Sequence, residues 1–213
     1  GQRCVCARRL ILPRDAFGDA VLDRLIEVSS NLRIGPPNLD PEPFYGPVIS
    51  TKAASGVLQA RDHLLTLGAE TLLNMTRESD DSTLLSPGIL DVTALAELPD
   101  QEIFGPLLQV IRVPDFETAI TEANQTAYGL SSGLLCEEQD RWENYFRHAR
   151  AGIVNWNRPI TGASGAQPFG GIGHSGNHRP SGYFAIDYCA FPVASTFGPS
   201  LDLPESLAPG IQL

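Results

Sequence analysis

A cysteine stands at the fourth position of the sequence, in Gly1-Gln2-Arg3-Cys4, and Arg8 and Arg9 follow it closely. Cationic neighbours favour thiolate over thiol, and the thiolate is the nucleophile, so Cys4 has the setting of a covalent catalyst. The same position also suits a buried structural cysteine. A second group is Glu102-Ile103-Phe104-Gly105-Pro106, just ahead of an apolar run. A carboxylate and an aromatic ring at a tight turn beside a strand can grip a hydroxyl pair and a flat ring; the alternative is a solvated glutamate beside a core phenylalanine. A third group bounds a glycine-rich stretch, with Asn157 and Arg158 at one end and Phe169 toward the other. Loops that follow strands are where open α/β sheets bind substrates.

Other chemistries are excluded or weak. Cys4 and Cys6 offer two thiolates, but a tetrahedral metal site needs about four ligands at ordered spacing. Cys136 and Cys189 are remote, and His174 and His178 lie in a Gly/Pro-flanked stretch; no metal site is expected. Gly171–Gly176 spells GxGxxG, but no strand leads into it, and Asp187 is too close to be the ribose-binding acid of a dinucleotide fold. Gly162-Ala163-Ser164-Gly165 and Gly173-His174-Ser175-Gly176 miss the last glycine of a hydrolase elbow. Lys52 is the only lysine, which removes a phosphate-binding P-loop and leaves Schiff-base chemistry unsupported.

The elements that must hold these residues alternate. Arg8–Leu12 reads as a strand closed by Pro13. The spacing predicts a helix over 14–34, with Phe17, Val21, Leu25, Val28 and Leu32 on its buried face and Gly35 as its stop. Residues 35–47 carry five prolines and read as loop. A helix follows over 51–67, stopped by Gly68, then short apolar runs at 71–75 and 89–92 and a clear strand at 107–113. Asp115 is placed to cap a helix ending near Asn124. Strands are expected at 129–135 and 152–157, separated by a helix with Trp142, Tyr145, Phe146 and Ala149 on its apolar face. Residues 158–176 read as a long loop, and the Pro-rich tail beyond Phe197 as wrapped on a surface or loose. This alternation implies an α/β fold with a largely parallel sheet flanked by helices.

Composition sets the outer limits. The chain has 213 residues, 42% apolar and 19% charged, enough for a substantial core. Its net charge of −10 disfavours nucleic acid and anionic membranes as partners. No apolar run approaches a membrane span. Four scattered cysteines make no disulfide scaffold, so a reducing cytoplasm is the expected location.

The motifs also occur in a telling order: GQRC at 1–4, GPVIS at 46–50, EIFGP at 102–106, ANQTAYGLSSGL at 123–134, GIVNWN at 152–157 and PFGG at 168–171. The ordered set resembles the C-terminal half of the NAD(P)-dependent aldehyde dehydrogenase superfamily, over about residues 1–196. GQRCVCARR, SGNHRPSGYFAIDYCAFPVAS and the tail LPESLAPGIQL narrow it to members that act on an acidic semialdehyde in arginine breakdown. The resemblance implies Cys4 as the nucleophile, forming a thiohemiacetal and then a thioester, with its backbone N–H in the oxyanion hole. It implies Glu102 on the ribose of NAD and Phe104 beside the nicotinamide. Phe169 becomes a wall of the substrate tunnel and Asn157 the strand end opening into it.

An acidic substrate needs locally concentrated positive charge, preferably arginine, whose fork matches a carboxylate. Arg3 and Arg158 are the candidates, followed by His178 and Arg179. The resemblance further implies a catalytic domain over 1–187 and an oligomerisation strand and tail over 188–213, with Tyr188–Ser195 pairing with a neighbouring copy in a homo-oligomer. The cofactor domain, general-base glutamate and oxyanion asparagine of such members precede the nucleophile. This chain is therefore expected to be part of a longer enzyme and inactive alone. Without cofactor it could still act as a thiol esterase or as an assembly module.

Overall fold

The computed structural model describes residues 1–202, 206 and 208–211. A four-stranded sheet forms its centre, built from β1 (Arg9–Pro13), β2 (Glu70–Leu73), β3 (Gly88–Asp91) and β4 (Leu107–Val113) in the order β1-β4-β3-β2. β4 runs parallel to both β1 and β3, and only β2 is antiparallel. The largely parallel sheet expected from the alternation is thus present, with one reversed edge.

β4 shows why two helices are needed. Its side chains alternate, and both faces are apolar, as a strand covered on both sides requires. Leu107, Ile111 and Val113 join Val57 and Leu64 of α2 (Thr51–Thr66) in one core cluster, with Met75, Leu85 and Leu90. Val110, with Leu12 of β1 and Ile89 of β3, meets Leu22 of α1 (Ala16–Ser30) on the other face.

α1 is shorter than expected and rotated. Asp15 caps its start by accepting the Gly18 amide at 2.8 Å. Ser30 and Asn31 end it, both donating to the Glu27 carbonyl at 2.8 Å. The next residues leave the helix axis to bond with 44–45: Phe44 N donates to Arg33 O, and Gly35 N to Tyr45 O. The buried stripe is Gly18, Leu22, Val21, Leu25 and Ile26. Phe17 and Val28, expected inside, face solvent at 69% and 45% exposure. The small Gly18 decides the rotation. A Cβ there would stand 2.0 Å from the Pro13 carbonyl oxygen, so the helix approaches the sheet on its glycine side.

The helix after β4 packs on the main sheet, with Ala119 against its core, and the elements after that helix form a smaller unit. α3 (Phe116–Asn124) starts at the expected cap, Asp115, which accepts the Thr118 amide at 2.7 Å. β5 (Ser131–Leu134) and β6 (Ile153–Trp156) form a separate parallel pair, joined through α4 (Gln139–His148). The stretch expected as an unbroken loop over 158–176 contains the short strand β7 (Pro168–Phe169) and a single helical turn at Gly173–Ser175. β7 pairs with β8 (Ser181–Gly182).

Tyr188 and Cys189, expected in a strand, instead close the short helix α5 (Ala185–Cys189). Residues 190–198 follow without a strand partner among the described residues. The tail reading falls partly outside the described residues. No described helix is long and apolar enough to cross a membrane.

Candidate active site

Cys4 sits in a tight turn before β1, in which the Cys6 amide donates to the Arg3 carbonyl at 3.0 Å. Val5, 5% exposed, pins the turn to the core, and the Gln2 side-chain oxygen accepts the Ile49 amide at 3.0 Å. Cys4 itself is an exposed free thiol, which removes the reading as a buried structural cysteine. Arg3 beside it is also exposed and pairs with no carboxylate among the described residues.

The start of the chain lies against the Glu102–Pro106 turn. A Cβ at Gly1 would fall 1.9 Å from the Gly105 carbonyl oxygen, so only glycine allows this approach. Gly105 is constrained in its turn by α2, since a Cβ there would meet Val57 at 2.4 Å. Its amide donates to the Ile103 carbonyl at 3.1 Å, which folds the backbone sharply and turns Phe104 outward. Phe104 is 39% exposed rather than a core residue, and Glu102 is exposed with no hydrogen-bond partner among the described residues.

A second group forms at the end of β6. Asn157 adopts a left-handed backbone, φ 50°, which asparagine tolerates better than most residues. Its side-chain oxygen accepts the Cys136 amide at 2.9 Å, and its side-chain nitrogen donates to the Cys136 carbonyl at 2.7 Å. Both ends of the amide are therefore used within the fold. Trp156 Nε1 donates to the same carbonyl at 3.0 Å and stacks on Trp142 of α4, with centroids 5.5 Å apart. Arg158 leaves this anchored point exposed, its only described contact a 3.4 Å donation to the Asn157 carbonyl. Phe169 lines a cavity of about 230 Å³ together with Ile153, Asn155, Thr161 and Ser164.

The structure thus sets Gly1, three residues before Cys4, against Gly105, the residue after Phe104, and places Asn157, Arg158 and Phe169 around the exit of β6. A polar cluster that the sequence reading missed ties the start of β1 to residues 126–128. Arg8 donates to Asp100 at 2.7 Å and Arg9 at 3.3 Å. Asp100 also accepts from the Thr126 hydroxyl at 2.8 Å and the Ala127 amide at 2.7 Å. The Arg8 guanidinium lies 5.4 Å from the centre of the Tyr128 ring, which meets His174 edge-on. Burial pushes the Asp100 carboxyl up, but the Ala127 amide, Arg8 and Thr126 outweigh it and hold it down at about 2. The available signal was a pair of arginines entering a strand, which needs a carboxylate nearby. Nothing local marked Asp100 among the 25 acidic residues. Among the described residues, no three His, Cys, Asp or Glu side chains gather as metal ligands.

An exposed cysteine on a turn, an outward aromatic beside an open carboxylate, and an arginine-edged loop over a cavity suit covalent oxidation of a carbonyl compound with a flat-ringed cofactor. Comparison with known proteins places the chain among aldehyde dehydrogenases. The chain is 56% identical over 213 residues to N-succinylglutamate 5-semialdehyde dehydrogenase of Ectopseudomonas mendocina, spanning all of this chain and 44% of that protein. It is 55% identical over 211 residues to the Serratia proteamaculans protein of the same name, covering 43% of it. The chain therefore spans less than half the length of the curated relatives it matches.

Among solved structures, 1-pyrroline-5-carboxylate dehydrogenase from Thermus with bound NAD superposes with a TM-score of 0.77 at 34% identity, covering 86% of this chain and 35% of that one. Salicylaldehyde dehydrogenase from Pseudomonas putida G7 gives 0.79 at 26% identity, covering 88% of this chain and 38% of that one. The family model described as "Aldehyde dehydrogenase family" matches residues 1–191, and the chain belongs to that family.

Proposed function

We propose that this chain supplies the nucleophile side of an NAD-dependent dehydrogenase that oxidises N-succinylglutamate 5-semialdehyde to N-succinylglutamate. The observation that carries the reading is the close backbone approach of Gly1, just before the Cys4 turn, to Gly105, just after Phe104. It sets an exposed thiol a few residues from an outward ring and an open carboxylate. The names of the curated relatives supply the substrate.

Each residue has a part. Cys4 Sγ, as thiolate, attacks the aldehyde carbon, and the carbonyl oxygen becomes an alkoxide facing the Cys4 amide. The residues present suit a nicotinamide nucleotide: Glu102 has an unpartnered carboxylate to accept from a ribose diol, and Phe104 an exposed face for a flat ring. A nicotinamide nucleotide held there would supply the hydride acceptor. Cys4 then holds the acyl group as a thioester, and water releases the acid. Phe169 forms an apolar wall, Asn157 fixes where the loop begins, and Arg3 and Arg158 face the substrate carboxylates. NAD rather than NADP is part of the proposal, as is a homo-oligomer assembled through residues 188–195.

The test is NAD reduction by this chain joined to the upstream half of the Ectopseudomonas mendocina relative. Turnover should favour the acidic semialdehyde over propanal, and Cys4→Ala should abolish it. Arg158→Ala should raise KM about ten- to a hundred-fold, the value of a charge-assisted contact. Equal rates on both aldehydes, or turnover that survives Cys4→Ala, would remove the reading.

A further inference from the structure

The charges of this chain are unevenly spread. Residues 144–186 contain four arginines (Arg147, Arg150, Arg158 and Arg179) and three of the four histidines, yet no aspartate or glutamate. In a chain of net charge −10, this is a local reversal of sign. Only Arg147 among these arginines pairs with a carboxylate in the described residues. A stretch of one sign beside concave surface concentrates ions of the other sign.

That stretch holds a second cavity, of about 290 Å³, which the proposed function does not use. Its walls are mostly backbone, from Gly152, Gly170, Gly171 and Gly176. These glycines exist for close packing. A Cβ on Gly152 would lie 1.7 Å from the Gly170 oxygen, and one on Gly176 would lie 2.0 Å from the Gly171 oxygen. The side chains able to donate to an anion among its lining residues include His178 and Arg179, both exposed and without a described side-chain partner.

His178 is held at φ 63°, in the left-handed region that a residue with a Cβ enters at a cost. The Asn177 side chain accepts the Arg179 amide at 3.0 Å and fixes the same turn. Backbone strain of this kind persists where surrounding structure imposes it, and it clusters at ligand clamps. The two cavities adjoin. Gly152 lines one, and the next residues of that strand, Ile153 and Asn155, line the other; Gly170 and Gly171 line one, and Pro168 and Phe169 the other.

We propose that this cavity is a carboxylate subsite, with Arg179 as a bidentate partner and His178 as a second donor. It would hold the substrate carboxylate most distant from the aldehyde, leaving only the nearer one to Arg3 and Arg158, while the carbon chain crosses beside Phe169. Which carboxylate occupies it rests on the acidic-semialdehyde reading; the preference for a carboxylate does not.

Calorimetric titration of this chain with succinate, against the neutral isostere succinamide, tests the subsite. Saturable binding of succinate alone is expected. Arg179→Gln should weaken it about ten- to a hundred-fold, as expected for a charge-assisted pair, and Arg179→Lys should restore part of the loss. His178→Asn keeps a residue that tolerates the left-handed backbone and should weaken binding several-fold. Absence of saturable succinate binding, or an Arg179→Gln affinity within twofold of the parent, overturns the subsite. So does a loss confined to Arg158→Gln, which would place the carboxylate in the other cavity. The same substitutions in the joined enzyme separate the two readings. If Arg179→Gln abolishes succinate binding while the parent shows no preference for the acidic semialdehyde, the subsite stands and the proposed substrate falls. If that preference is present and unaffected by Arg179→Gln, the substrate stands and the subsite falls.

Discussion

One carboxylate serves both Arg8 and Arg9, the arginines that enter β1 after Cys4. Arg8 and Arg9 are 15% and 11% exposed, and Asp100, 29% exposed, is their shared partner. Because the folded Asp100 sits at about 2, below its ordinary 3.8, its ionised form stabilises the native state. That contribution is complete above about pH 4 and is lost as pH falls toward 2. Asp100→Asn should therefore cost about 1.5–3 kcal/mol near neutrality, the value of hydrogen bonds to a charged group. Urea denaturation should show the gap between parent and variant closing as pH approaches 2. A gap that stays constant with pH would assign the loss to shape rather than charge. Cys4, Glu102 and Phe104 could be singled out from local sequence beside their structural alternatives, and the structure leaves all three exposed. Asp100 could not, because its meaning lies in partners 91 and 92 residues away.

Among the elements, the exit of β6 controls how the following loop begins. Asn157 combines a left-handed backbone with two side-chain bonds to one peptide, an arrangement that neither alanine nor glycine reproduces in full. Asn157→Ala loses the bonds and keeps the backbone penalty; Asn157→Gly loses the bonds but removes the penalty. Thermal or urea unfolding should rank them parent, glycine, alanine, with about 1 kcal/mol between the two variants. The reverse order would mean that the left-handed backbone relaxes once the bonds are gone. Proteolysis within 158–167 should accelerate in both, since the loop loses its anchor.

Elements whose burial pattern matched their period were legible: β4 is buried on both faces, and α3 carries its own cap at Asp115. The buried face of α1 was not. Phe17 and Val28 fit a helical stripe, but hydrophobicity cannot reveal that Gly18 permits the closer approach. The five-residue α5 was missed because a segment so short is decided by its surroundings.

At the scale of the whole molecule, exposed apolar side chains occur from Phe17 onward but are densest after residue 182. β1 has a partner only on its β4 side, but Pro13 and the flanking arginines blunt that edge against pairing with another chain. The segment after β8 has no such protection. Tyr183, Ile186, Phe191, Val193 and Phe197 are all exposed, with Phe191 at 88% and Phe197 at 90%. Scattered apolar residues on a surface need no explanation, whereas a run of this size suits an interaction surface. The extended 190–198 backbone without a strand partner also carries unpaired amides and carbonyls suited to adding an edge. A second copy of the chain is the proposed occupant. Sedimentation velocity should then show association that rises with concentration. A Phe191→Ser, Val193→Ser, Phe197→Ser variant should sediment as a monomer, with unfolding stability within about 0.5 kcal/mol of the parent, as for exposed positions that pack against nothing within the chain. If association persists in the variant, the interface lies elsewhere. If stability falls by several kcal/mol instead, these side chains pack within their own chain, and the assembly role of residues 188–195 is withdrawn.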